Sequence, residues 1–321
     1  MKAIIHDTYG PLETLESRDI EPPKLGAGDV LVRVRAAAVH VGDIFAVEGS
    51  PFPVRLSTGV RRPRYGIPGF DLAGIVEAVG PGVTSVAVGD EVFGTGQGTA
   101  AELARAKECE LAPRPPRLSF EEAAAIPTSA LAALHGLRDA GKLAPGQRVL
   151  VNGASGGVGT YAIQIARALD AHVTGVTSTA NVALVRELGA DEVIDYMRDD
   201  FTIRAGAWDL ILDNIENRSL VELRRALAPR GTLVLNSGTG ATGLRMLVRL
   251  VTPVVLSVLS RQNLRRYFST PNRADLMVLS ELVEAGRLRP VIDRTFPLEQ
   301  TVEALRHVKG GHARGKVVLA V

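Results

Sequence analysis

The 321-residue sequence has one cysteine, Cys109, so no disulfide can form within the chain and no four-cysteine zinc lobe can be built. Lysine is scarce, six residues against thirty-one arginines, and the net charge is only +2. The basic residues are scattered, which excludes the concentrated footprint of a nucleic-acid binder. Long apolar runs are missing too. The one stretch that suggests a span, Leu244 to Leu259, is interrupted by Arg245, Arg249 and Pro253. It falls short of the roughly 20 residues a crossing needs and reads as a buried or interfacial helix pair. The opening Met1-Lys2-Ala3-Ile4-Ile5 reads as a strand, without the apolar core and cleavage site of a secretory signal. These absences together predict a cytoplasmic protein whose partners are neither nucleic acid nor membrane.

What is present is ordinary for a soluble globular chain, 46% hydrophobic and 22% charged, with a length that suits two domains. The first 115 or so residues alternate short apolar runs, such as Val30-Leu31-Val32-Arg33-Val34 and Gly74-Ile75-Val76-Glu77-Ala78-Val79, with turns at Gly28-Asp29, Gly80-Pro81-Gly82 and Gly89-Asp90. That pattern predicts a strand-and-turn domain, a partly open barrel, ending near Pro113, Pro115 and Pro116. From Ser119 an N-cap with two acids opens an Ala-rich helix that runs to about Ala140. Beyond Gln147 strands and helices alternate with short loops, the mark of a parallel sheet covered on both faces. The tail, Arg289–Asp293 and Gly315–Leu319, returns to strand character and is expected to complete the first domain.

The strand Arg148–Asn152 runs into Gly153-Ala154-Ser155-Gly156-Gly157-Val158-Gly159 and then an apolar helix. Strand, glycine loop and helix together predict a dinucleotide site: the glycines let the main chain approach a pyrophosphate, and the helix N–H groups face it. Selectivity is read at the end of the next strand, Val176-Thr177-Ser178-Thr179-Ala180-Asn181. An acid there would hold the ribose 2′-OH of NAD; none is present, and Ser178 can donate to a 2′-phosphate. NADPH is the cofactor expected, although no Arg or Lys lies in that turn and Ser178 could instead cap the helix after it.

Across its whole length the chain resembles the medium-chain dehydrogenase/reductase superfamily, in its zinc-free quinone oxidoreductase branch. The residues that carry the resemblance are Ala36–Asp43, Pro68–Gly74, Val88–Gly94, Asn152–Gly159, Leu188-Gly189-Ala190-Asp191 and Gly311–Lys316. It implies a doubly wound Rossmann sheet over 119–269 and a discontinuous GroES-like catalytic domain from 1–118 and 270–321, with the active site in the cleft and a homodimeric assembly. Zinc-dependent members bind their metal at positions that here hold His40, Phe70 and about Pro127, so no metal site is expected. Without a Lewis acid the feasible chemistry is hydride delivery from NADPH to a quinone or an α,β-unsaturated carbonyl, whose own oxygen takes up the charge.

The resemblance also assigns residues. His40, where relatives often carry Asn, falls near the nicotinamide and could donate a hydrogen bond or proton, or merely pack at a strand end. Asp43 orders that loop, and Thr128 matches a residue that touches the nicotinamide. Asn181 falls where many relatives use Lys on the 2′-phosphate, Tyr196 matches a tyrosine at the adenosine phosphate, and the cofactor contacts extend to Asn214 and Gly238. Relatives tend to have Gly-Gly or Gly-Asn where this chain has Ile215-Glu216-Asn217. The remaining candidates read as structural: His135 a satisfied helix histidine, Cys109 a small buried or semi-buried residue, Trp208 a packing residue, and Arg55, Arg61, Arg62 and Arg64 a solvated loop. Two alternatives to the reductase stay open at this point, an NADPH sensor without turnover and a zinc alcohol dehydrogenase.

Overall fold

The computed structural model describes residues 1–64, 66–236 and 261–321; Gly238 and the stretch Leu244–Leu259 lie outside them. Two compact units divide the chain, one of residues 1–131, 270–286 and 290–321, the other of 132–269 and 287–289. Among the described residues no helix is long and apolar enough to cross a membrane.

The first unit opens with a two-stranded antiparallel pair, β1 (Lys2–Ile5) and β2 (Glu16–Asp19). Its spine is the long strand β3 (Asp29–Val39), followed by α1 (Val41–Glu48) and the short α2 (Val54–Thr58). Then come β4 (Asp71–Val79), β5 (Glu91–Thr95), β6 (Leu103–Lys107) and β7 (Leu111–Pro113). Period-two alternation puts Val30, Val32 and Val34 of β3 into one core with Leu72, Val76, Val92 and Leu111. β4 runs antiparallel along one edge of β3, with register shifts at Leu31/Val32 and Val34/Ala36. Opposite the second shift stands Gly74, where a Cβ would lie 2.1 Å from the carbonyl oxygen of Arg33. Only glycine fits so close a backbone approach.

The Ala-rich segment is broken where the sequence predicts one continuous helix. α3 (Phe120–Ala124) stops two residues short of Pro127, and α4 (Pro127–Leu134) begins on that proline. A proline N–H is missing, which suits the first residue of a helix and no interior position. A wider, π-helical turn follows over His135–Ala140. Because α3 packs on β3 and β4, the division between the units falls inside α4 rather than at Leu118/Ser119.

Among the described residues the second unit forms a six-stranded, all-parallel sheet. Its strands are β8 (Arg148–Asn152), β9 (His172–Thr177), β10 (Glu192–Asp195), β11 (Trp208–Asp213), β12 (Leu227–Leu235) and β13 (Asn263–Arg266), with α5 (Gly157–Ala168), α6 (Val182–Glu187) and α7 (Leu220–Ala226) as crossovers. The order β10-β9-β8-β11-β12-β13 reverses direction at β8, the Rossmann arrangement expected. Trp208 is buried edge-on against Phe201, as a packing residue should be. β13 escaped the sequence reading because only Leu264 of Asn-Leu-Arg-Arg is buried.

The tail supplies α8 (Arg273–Glu284), β14 (Ile292–Pro297), α9 (Thr301–Lys309) and β15 (Lys316–Ala320). β15 pairs antiparallel with the end of β3, Val317 against Val39, and β14 lies parallel outside it. The chain end thus closes the first unit's seven-stranded sheet, whose outer strands β14 and β7 remain unpaired with each other. Cys109 is exposed rather than buried, because it sits in a turn before β7.

The Gly74 contact has a direct consequence. Gly74→Ala should lower the unfolding free energy by about 2–3 kcal/mol, because backbone rather than a flexible side chain must yield. An unchanged urea midpoint would show that the strand pair relaxes freely.

Candidate active site

In the first unit the site is built where β3 gives way to α1. His40 is the cap residue of α1, and Asp43 three positions on completes a reciprocal box. The His40 N–H donates to Asp43 Oδ2 at 2.7 Å, while His40 Nδ1 accepts from the N–H of Gly42 at 3.0 Å. The ring rests on Gly42, where a Cβ would stand 2.7 Å from His40 Cε1. Since Nδ1 spends its lone pair on a backbone donor, the ring hydrogen belongs on Nε2. That Nε2 is buried and has no partner. Phe70 stacks on the imidazole, ring centroids 5.8 Å apart and 12° from parallel.

β4 begins at Asp71, which is fully buried beside the start of α4. A helix start leaves N–H groups without partners, and Asp71 Oδ1 accepts one of them, from Thr128, at 2.9 Å. The Thr128 hydroxyl donates to the same oxygen. Lys316, first residue of β15 and 2% exposed, donates to Asp71 Oδ2 at 3.1 Å and to Ser129 Oγ at 3.0 Å. Sheet register explains the meeting: β3 lies between β4 and β15, with Asp71 opposite Ala38 and Val317 opposite Val39. Breaking such a pair strands a charge in the interior at a cost of about 3–5 kcal/mol. His40, Asp43 and Thr128, the residues expected to be catalytic, therefore belong to one unit, together with Asp71, Lys316 and Ser129. Asp71 and Lys316 stood in the family segments without an assigned role.

Asp43 differs from Asp71. Its Oδ1 is buried without a hydrogen bond. Complete burial raises its carboxyl above the ordinary carboxylate range, and the like charge of Asp71 adds to the rise, against the opposing influence of His40 and Lys316.

In the second unit the glycine loop follows β8. Gly153 has φ +78° and lies under Ile215, whose Cδ1 would be 2.7 Å from a Cβ there. Gly159 passes so close to the Gly153 carbonyl oxygen that a Cβ would sit 2.0 Å from it. Ala154 is tied to the sheet by its N–H to Val176 O at 3.0 Å. α5 starts on Gly156 with no side-chain cap, so no side-chain acceptor answers the first-turn N–H groups or the positive helix end.

Beside the loop, Ser155 Oγ accepts from Thr177 Oγ1 at 2.8 Å and from Asn181 Nδ2 at 3.2 Å. Both acceptor positions filled, its own hydrogen is left for a ligand. Ser178 Oγ likewise accepts from Asn181 Nδ2 at 3.3 Å, and its side chain does not cap the following turn. The sequence contains no acid in this turn, but β10 brings one to it: Asp195 accepts from Thr179 Oγ1 at 2.6 Å and from the Met197 N–H at 3.0 Å. The Thr179 hydroxyl bond, ahead of the other contacts, holds its carboxyl below the usual range. Arg198 Nε lies 3.6 Å from Asp195, and its side chain is 75% exposed. Tyr196 is half exposed, with its N–H on Thr177 O. Asn214 clamps the sheet edge, giving Nδ2 to Asn152 O and accepting from Asn236. Elsewhere His135 is buried on Ser269 Oγ, as a structural histidine. Arg55 is not free in solvent but stacks on Tyr9, whereas Arg61, Arg62 and Arg64 are exposed.

The raised Asp43 carboxyl predicts a pH signature. The folded chain holds that proton more tightly than the unfolded one. This group therefore stabilises the fold at acid pH, and the contribution is lost as pH rises from the ordinary carboxylate value through the raised one. Asp43→Asn keeps an acceptor for the His40 N–H, so its melting temperature should gain on the wild type as pH rises. A difference between the two that is flat with pH would contradict this.

Comparison with known proteins agrees with the architecture. Residues 26–136 match the family described as alcohol dehydrogenase GroES-like domain, and 188–319 the family described as zinc-binding dehydrogenase. The chain is 32% identical to the mitochondrial NAD(P)H oxidoreductase RTN4IP1 of Homo sapiens, over 100% of this chain and 89% of the relative. It is 30% identical to the 2-methylene-furan-3-one reductase of Solanum lycopersicum, over 99% of this chain and 79% of the relative. Among solved structures, the quinone oxidoreductase from Coxiella burnetii superposes with a TM-score of 0.87 at 29% identity, covering 100% of this chain and 99% of that one. The chain belongs to the medium-chain dehydrogenase/reductase superfamily, in its quinone oxidoreductase branch.

Proposed function

We propose that this chain is an NADPH-dependent reductase that delivers hydride to a quinone or an α,β-unsaturated carbonyl, without zinc. One observation carries the reading: His40 Nε2, a buried nitrogen with a hydrogen and no partner, in the position where zinc-dependent members place a metal ligand. NADPH, when bound, supplies the hydride. The chain's task is then to answer the negative charge that arrives on the acceptor's oxygen. A fixed N–H donor does this without reorganising, because Gly42 and Asp43 already lock the imidazole and Phe70 stacks on it. The tomato and Coxiella relatives, named a furanone reductase and a quinone oxidoreductase, support that class of acceptor.

The residues present do not fit zinc. His40 Nδ1 is taken by Gly42, Phe70 offers a ring face, and position 127 is proline. Among the described residues no three His, Cys, Asp or Glu side chains gather as a metal cage.

They do fit a dinucleotide. Gly153–Gly159 and the uncapped start of α5 would hold the pyrophosphate. NADPH is favoured over NADH by the free hydroxyl hydrogens of Ser155 and Ser178, and by Arg198, a cation brought to the turn from β10 rather than from within it. The carboxylate nearby, Asp195, already accepts from Thr179 and Met197, which supports a structural role for it over one on a ribose hydroxyl. We place Asn181 in this cluster as the residue that orients the two serines.

The test is oxidation of NADPH by a panel of simple quinones and alkenones after treatment with chelator. Turnover is expected, with NADPH bound more tightly than NADH. His40→Ala should lower kcat by about 10²-fold or more while leaving NADPH affinity near wild type. Binding of NADPH with no acceptor reduced across the panel would overturn the reading. Full turnover by His40→Ala would remove His40 from it.

A further inference from the structure

Single apolar side chains on a surface are ordinary, but three gather in the segment after α1. Phe52, Leu56 and Val60 are 61%, 70% and 55% exposed. The chain turns helically from Pro51, with the Val54 N–H on Pro51 O, that of Arg55 on Phe52 O and that of Leu56 on Pro53 O. Phe52 and Leu56, four positions apart, therefore share a face. The other face is tied down. Arg55 lies over the Tyr9 ring and donates to Gly49 O at 2.8 Å, and the Tyr9 hydroxyl meets Thr58 Oγ1 at 2.8 Å. The Arg64 N–H closes onto Thr58 O at 2.7 Å, which folds Val60, Arg61 and Arg62 into one small loop at the end of α2.

Charge in this segment is one-sided as well. From Gly49 to Phe70 there are four arginines and no Asp or Glu, in a chain whose net charge is only +2. The flanking acids are engaged elsewhere, Glu48 with Lys309 and Asp71 with Lys316. Among the described residues Arg61, Arg62 and Arg64 have no carboxylate partner. Read from sequence, these arginines are a solvated loop and no membrane partner is expected; the fold adds the apolar face that accompanies them.

We propose that residues 52–64 form a docking surface for an anionic lipid bilayer, with Phe52, Leu56 and Val60 entering the headgroup region and Arg61, Arg62 and Arg64 meeting lipid phosphates. A chain can lie on a membrane without a spanning helix. Side chains more than half exposed make a raised patch, not a hollow. A fluid bilayer closes around such a patch, whereas a folded partner must bring a cavity that matches it. An anionic leaflet also answers the unbalanced arginines, each of which contributes about fivefold to binding. Their alkyl stems follow the apolar side chains inward while the guanidinium groups stay at the phosphates.

The experiment sediments the full chain with vesicles of phosphatidylcholine containing about one-third phosphatidylglycerol, and with vesicles of phosphatidylcholine alone. Binding is expected to the first only, and it should weaken as salt rises. Arg61→Ser, Arg62→Ser and Arg64→Ser together should weaken it about 10²-fold, and Leu56→Ser about tenfold. All four side chains are exposed, so both variants should melt near the wild-type temperature. Wild type that leaves anionic vesicles unbound overturns the proposal. Folded Leu56→Ser that binds as wild type does also overturns it, because charge alone then suffices. A dimer dispersed by Leu56→Ser, without vesicle binding, assigns the face to a second copy of the chain. Capture by polyglutamate without vesicle binding assigns it to an acidic protein, and either outcome overturns the bilayer.

Discussion

A polar group buried in a protein interior is costly unless it finds a partner, and the first unit is arranged to keep Asp71 beside Lys316. The two residues are 245 positions apart. They meet because the tail returns as β15 to pair with β3, whose other edge carries β4. Around this pair the start of α4 finds its acceptor, Ser129 finds its donor, and the Thr128 hydroxyl takes its orientation. The discontinuity of the domain is thus tied to its interior: Asp71 and Ser129 lack the Lys316 partner until the chain end arrives.

Three helix starts differ in how their N–H groups are answered. α1 and α4 have carboxylates of their own, Asp43 and Asp71, on their N-terminal N–H groups. α5 has none; Gly156 leaves its first turn bare. Helices with acids at the start are electrostatically answered, and one without is open to an anion from outside. The same economy applies to the imidazole. In a zinc enzyme a metal would draw off the charge of the reacting oxygen; in the function proposed for this chain a locked N–H donor is the corresponding group.

The glycine loop was legible because each part of it obeys a local rule: an apolar strand, a Gly-rich turn, an apolar helix. The parallel sheet followed from the alternation after Gln147. His40 and Asp43 were visible as members of the family segment Ala36–Asp43, while the reciprocal capping box they form appears only in the fold. What the sequence hid depends on contacts between distant segments. Asp71 and Lys316 each looked like a family marker until sheet register joined them. Asp195 lies in the third strand, so a search of the turn after the second could not find it, nor Arg198 beside it. β13 carries no apolar run, since it is an edge strand with one buried side chain. The helix break at Pro127 was readable from proline's missing N–H, and the Ala-rich composition on either side of it concealed the signal. Gly238, expected at the cofactor, lies outside the described residues.

The function proposed for this chain requires hydride to pass from NADPH to a conjugated acceptor without a metal while His40 answers the charge. The most direct measurement is a single turnover by chelator-treated protein loaded with NADPH carrying deuterium at C4, mixed with a quinone or alkenone. Reduced nicotinamide should disappear in one phase, more slowly than with unlabelled NADPH. With an alkenone, the deuterium should appear at carbon in the product. Bound NADPH that stays reduced under these conditions, or that reacts only after zinc is added, would contradict it.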